Sequence, residues 1–186
     1  MGITVDEARE LMHDWVESPS LRGHMEAVAT CMAGYAAKVA PDQLDDWFVA
    51  GLLHDMDYER HPTEEEHPFV GVEHLKSRDD VSPEIIRAIL SHADYSGVPR
   101  EDDMSRHLHA VDELAGFIVA CARVRPDGIA ELESKSVVKK LKNLKFAAAV
   151  SRDDVRNGAE AIGIELSEHI GNCIGFLRAE RERLGI

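Results

Sequence analysis

The sequence predicts an all-α protein, a single-domain helical bundle over residues 1–186. Three observations predict it. Apolar residues recur at i, i+3, i+4 and i+7 from one end of the chain to the other. Strand signals are poor: alternation, Asn-Gly turns and β-branched runs hardly occur, and aromatic residues make up only 5%. Serine, aspartate and proline fall where helices should start or stop.

The periodicity places helices at about 4–17, 20–40, 43–57, 64–77, 83–93, 104–124, 134–149, 152–163 and 166–184. "SPS" at 18–20 starts the second, and "APD" at 40–42 ends it and caps the third. The third is apolar from Trp47 to Leu53 on all sides, which marks a buried helix. "SPE" at 82–84 puts Ser82 at the N-cap and Pro83 at the first helical position of the fifth. "SGVPREDD" (96–103) and "RPDG" (125–128) are the longest non-helical links. The last two helices, amphipathic, are expected to pack on the core. No repeat, low-complexity segment or linker divides the chain.

Charge and composition bound the function. With 35 acidic against 21 basic residues the formal charge is −14, which argues against a nucleic-acid polymer or an anionic membrane as partner. No stretch approaches the roughly 20 apolar residues of a membrane span. The N-terminus is charged and lacks an apolar leader. Cys31, Cys121 and Cys173 are widely spaced in apolar contexts, as suits reduced thiols in a cytoplasmic protein. Oligomeric state is not legible.

Several ionisable residues sit where core should be. Asp55 stacks over Gly51, Leu52 and Phe48, and His54 over Trp47, Ala50 and Gly51. His24 lies in line with Val28, Cys31 and Met32; His92 follows Ile85 and Ile89. Asp112 aligns with Leu108, Ala115 and Val119, and His67 with Val70, Gly71 and His74. A lone inward histidine is usually a core residue bonded to a carbonyl. Six inward His and Asp residues on five helices point instead to one shared cause, a metal centre that neutralises the carboxylates and takes the imidazole lone pairs. A His-rich, thiolate-free set suits a divalent or trivalent transition metal, as one or two ions. Iron or manganese is favoured, with zinc, nickel or cobalt as further options. Adjacent His54 and Asp55 can reach one ion, or Asp55 can bridge two.

His24, "GLLHDMDY" (51–58) and "HAVDELAGF" (109–117) together resemble the HD-domain superfamily of metal-dependent phosphohydrolases, in the HDIG-type version. The resemblance covers about residues 20–124. It implies that His24, His54, Asp55 and Asp112 ligate metal. "EHPFVGVEHL" and "IIRAILSHAD" are similar to the segments that carry additional histidines in the HD-GYP branch, which adds His67 and His92 as ligands of a second ion. The Gly-Tyr-Pro signature is absent, and Asp57 and Tyr58 stand where many HD-GYP proteins have a lysine, so cyclic-di-GMP chemistry is poorly supported.

The resemblance implies hydrolysis of a small phosphorylated metabolite or nucleotide by metal-bound hydroxide, with His54 and Asp55 at the catalytic centre. Two rivals share the ligands: a di-iron HD-type oxygenase of a small molecule, and a non-catalytic regulatory module. Tyr58, Asp94 and Tyr95 are placed at a pocket rim, with Tyr58 a substrate-binding candidate. His74 and His109 lie one or two turns from ligand positions. The basic island "KSVVKKLKNLKF" (135–146) offers Lys139, Lys140 and Lys145 as residues that lean over the metal to bind a substrate anion; a solvated helix face is the plain alternative. His13, His61, His107 and His169 sit in charged surroundings and are expected at the surface.

Overall fold

The computed structural model describes residues 2–186. Two long helices form its axis, α2 (Pro19–Val39) and α6 (Asp103–Arg123). Ser18 caps α2 by accepting from the Leu21 N–H at 3.3 Å, with Pro19 at its first position. Asp102 caps α6 through the Ser105 N–H at 2.8 Å. Against α2 packs α3 (Leu44–Leu53), whose residues Trp47 to Leu53 are all buried, as its all-round apolarity predicts. Outside α3 lies α1 (Val5–Trp15), started by a Thr4–Glu7 capping box.

The next pair, α4 (Phe69–Lys76) and α5 (Pro83–His92), closes one side of the bundle, with α5 against α3 and α6. On the other side α7 (Ser134–Leu141), α8 (Arg152–Ala161) and α9 (Leu166–Ala179) pack on α2, on α6 and on each other, and the short α10 (Arg181–Leu184) ends the chain. No strand occurs among the described residues, and none of their helices is long and apolar enough to cross a membrane. All three cysteines are buried and unpaired as disulfides.

The elements differ from expectation at three ends. The third helix stops at Leu53, and residues 54–60 continue as tight turns with Met56 N–H to Leu53 O and Tyr58 N–H to Asp55 O bonds. The helix expected from 64 begins at Phe69: Pro68 brings no N–H, and residues 64–68 form turns held by Thr63. The helix expected over 134–149 stops at Leu141, and 142–150 becomes a loop with Ala147 at a φ of 44°. The expectation of a surface position fails for His107 and His169. His107 is wedged between the rings of Tyr35 and Trp47, and its Nδ1–H donates to Asp103 O at 2.7 Å. His169 Nε2–H donates to Ala110 O at 2.9 Å, so its Nδ1 accepts from Tyr35 O–H at 2.6 Å. Both follow their helix register, which local charge had obscured.

Close approach of α3 to α2 depends on Gly51. A Cβ there would stand 2.8 Å from Ala29 Cα and 2.9 Å from Ala29 N, backbone atoms that cannot step aside. Gly51→Ala is therefore expected to cost about 1–3 kcal/mol of stability by overpacking. Urea unfolding monitored by circular dichroism checks this; an unchanged midpoint would show that the α2–α3 spacing is not held at Gly51.

Candidate metal centre

Five elements deliver the six inward residues. His24 comes from the first turns of α2, and Asp112 from the middle of α6. His54 and Asp55 leave the C-terminus of α3, His92 is the last residue of α5, and His67 stands in the turn ahead of α4. The six side chains converge at the base of a cleft of 520 Å³, with His54 beneath it, fully buried.

Asp55 sits between two groups. Its Oδ2 is 3.4 Å from His54 Nε2 and 3.7 Å from His24 Nε2. Asp112 Oδ1 completes that group, 3.0 Å from His24 Nε2 and 3.3 Å from His54 Nε2. The other oxygen, Oδ1, faces His67 Nε2 at 3.4 Å and His92 Nε2 at 3.5 Å. Those two imidazole nitrogens are 3.3 Å apart. Donor atoms about 2.0–2.2 Å from one ion stand about 3.0–3.5 Å from each other in octahedral or tetrahedral arrangements. The spacings match on both sides of Asp55.

Tautomers can be read from the other ring nitrogens. His54 Nδ1–H donates to Gly51 O at 2.8 Å, and His92 Nδ1–H to Ile89 O at 2.5 Å. His67 Nδ1–H donates to Asp57 Oδ1 at 2.7 Å, and Asp57 Oδ2 accepts from the Gly71 N–H at 2.7 Å. Each Nε2 is left with a lone pair aimed inward, as metal-binding histidines require. His54 Nε2 is buried and has no hydrogen-bond partner. The facing lone pairs of His67 and His92 repel one another unless a cation lies between. These residues fit a metal.

The electrostatics agree. Burial alone would lower the His54 imidazole, but the Asp55 and Asp112 carboxylates reverse this and hold it well above its usual value. Burial likewise opposes ionisation of Asp55 and Asp112, yet the imidazoles hold both carboxyls below the usual range. Positive charge is thus demanded at this point, and an ion satisfies it without a proton. Glu113, beside Asp112, is pushed up to about 7 by burial and by the Asp112 charge; it accepts from the Ser151 N–H at 3.0 Å.

Other candidates fall at varied distances from the centre. Tyr58 lines the cleft half-exposed, its ring 5.2 Å from that of His67, and Tyr95 and His109 line it too. Asp94 pairs with Arg100, which also donates to Ser91 O at 2.7 Å and His92 O at 3.1 Å and so fastens the end of α5. His74 packs on Trp15 instead. Lys139, Lys140 and Lys145 are not brought to the cleft: Lys139 and Lys145 are exposed, and Lys140 lies 4.2 Å over the Phe146 ring. The helix ends before the island does, and the loop that follows presents Ala149 and Val150 to the cleft. Asp57, 1% exposed, was missed as a participant. Its only signal was a carboxylate two residues beyond Asp55 in an apolar run.

A family model of the HD domain matches residues 21–116, more than half of the 186 residues, and all six convergent residues fall inside the match. The chain belongs to the HD-domain family, whose members are in general metal-dependent hydrolases that bind divalent ions. Comparison with curated proteins returns no match, and comparison with solved structures returns none either.

Among the six convergent residues, Asp57 orients His67 alone. Asp57→Asn is expected to weaken metal affinity on the His67–His92 side by about 10–100-fold while leaving the His24–His54–Asp112 side unchanged. Competition titration with a chromogenic chelator resolves the two; equal weakening of both would contradict the assignment.

Proposed function

We propose that the protein is a dinuclear metal-dependent phosphohydrolase of a small phosphorylated metabolite or nucleotide. The observation that carries this reading is the Asp55 carboxylate, which turns one oxygen to His24 and His54 and the other to His67 and His92. His24, His54 and Asp112 would hold one ion, His67 and His92 the other, with Asp55 between them. Such a pair supplies Lewis acidity toward a phosphoryl oxygen and an activated water at neutral pH. Iron or manganese fits the imidazole and carboxylate donors best. The second histidine pair parallels the HD-GYP branch without its Gly-Tyr-Pro signature.

The chain's own residues set the rest. The Nδ1–H bonds of His54, His67 and His92 fix ring orientation, so the donors need not reorganise. Glu113 lies in the cleft beside Asp112 and accepts from the Ser151 N–H, a carboxyl placed to exchange a proton with a departing alkoxide. Tyr58 and Tyr95 offer hydroxyls at the rim for a substrate's polar groups.

Manganese- or iron-reconstituted protein is expected to release phosphate from at least one member of a phosphoester panel, and chelation is expected to stop it. Asp55→Ala should lower the rate by at least about a thousandfold, since it removes the group shared by both ions. Turnover that survives Asp55→Ala would sink the proposal. One observation favours a second reading, a di-iron oxygenase: no lysine or arginine lines the metal cleft to meet a phosphate. A mixed-valence iron signal in electron paramagnetic resonance that shifts on substrate addition, with oxygen consumed, would select it.

A further inference from the structure

The metal cleft continues past Gly116. A second cavity of 390 Å³ adjoins it, and His24 and Gly116 line both. Helical register explains the continuity. Asp112, Gly116, Ala120 and Arg123 follow at intervals of four, four and three along α6 and so form one stripe. A Cβ at Gly116 would stand 3.4 Å from His24 Nδ1, so the missing side chain leaves room beside the ring. The walls of the second cavity are apolar, with Val119 and Ala120 of α6 opposite Phe146 and Ala147 of the 142–150 loop.

That loop is fastened from below. The buried Arg152 guanidinium donates to Ala147 O at 2.6 Å, to Val150 O at 2.8 Å, to Asn143 O at 3.2 Å and to Phe146 O. It also lies 4.7 Å over the Phe117 ring, which Phe146 meets edge-on at 5.6 Å. The wall is thus formed before any ligand arrives, which lowers the cost of ordering it on binding.

Charge marks the far end. Arg123 is the one lysine or arginine that lines either cavity. It is exposed and has no ion-pair partner among the described residues. Its guanidinium turns toward α2: a Cβ on Gly23, the residue before His24, would stand 3.6 Å from Nη2. In a chain of formal charge −14, an unpaired guanidinium at the end of an acidic cleft selects for an anionic group at that spot.

We infer that the second cavity is a leaving-group subsite. It takes the apolar, ring-sized body of a phosphoester whose phosphoryl group lies at the metal centre, and Arg123 pairs with a second anionic group on that body. This deepens, and rests on, the phosphoryl-transfer reading above. The substrate class is a phosphorylated alcohol with an aromatic or branched apolar core and a distal anion.

Isothermal titration calorimetry of the manganese-loaded protein tests it with three non-hydrolysable probes: methylphosphonate, benzylphosphonate and 4-(phosphonomethyl)benzoate. Benzylphosphonate is expected to bind about tenfold tighter than methylphosphonate through burial of the ring. The added carboxylate is expected to gain about a further fivefold, the scale of an exposed ion pair. Ala120→Phe, which fills the cavity, should abolish the ring's gain and leave methylphosphonate binding intact. Ala120→Leu, a smaller intrusion, should do so in part. Arg123→Gln should remove only the carboxylate's gain. Methylphosphonate binding with no gain from the ring, or a gain that survives Ala120→Phe at an unchanged melting temperature, overturns the subsite alone. Absence of any metal-dependent methylphosphonate binding overturns the phosphoryl-site reading and the subsite with it.

Discussion

One carboxylate shared by four imidazoles organises this molecule. Asp55 is largely withdrawn from water, with two nitrogens facing each of its oxygens at 3.4–3.7 Å. An uncompensated charge in such a place costs many kcal/mol, and the same holds in milder form for each buried imidazole lone pair. The arrangement is stable only if positive charge sits on both sides of it. That requirement explains why helices α2, α3, α5 and α6 and the turn ahead of α4 all meet here.

The surroundings serve this centre in ways that composition alone does not reveal. Backbone carbonyls of Gly51 and Ile89 hold the His54 and His92 rings, and the Asp57 carboxylate holds that of His67. Gly71 lets Asp57 come close, since a Cβ there would stand 3.1 Å from its carboxyl carbon. Gly51 lets α3 settle on α2, and Arg100 ties down the last turn of α5. Above the convergent His and Asp residues, Arg152 shapes a loop that presents alanine, valine and phenylalanine. Site chemistry and fold stability are therefore coupled through a few small or buried residues.

How much of this was legible follows from register. His24, His92 and Asp112 lie on apolar helical stripes, and His54 and Asp55 follow directly on the end of α3, so the helix period points to them. His67 is brought to the centre from a turn; resemblance to the HD-GYP branch and projection on a helix over 64–77 both point to it, whereas that helix begins two residues later. Asp57 has no signal in helix periodicity because its partners, His67 and the Gly71 N–H, reach it across the turns that join α3 to α4. Periodicity predicts one continued helix for the lysines of the 135–146 island. Its early stop at Leu141, with Arg152 gathering the loop's carbonyls, could not be seen from local periodicity. His107 and His169 show the reverse error: charged neighbours in sequence hid their inward register.

The claim on which the rest stands is that Asp55 holds two ions, one on each side. Anomalous diffraction from crystals grown with manganese measures this directly. The account predicts two peaks flanking the Asp55 carboxylate, one against His24, His54 and Asp112 and one against His67 and His92. A single peak, or two peaks of which one does not touch Asp55, would contradict it.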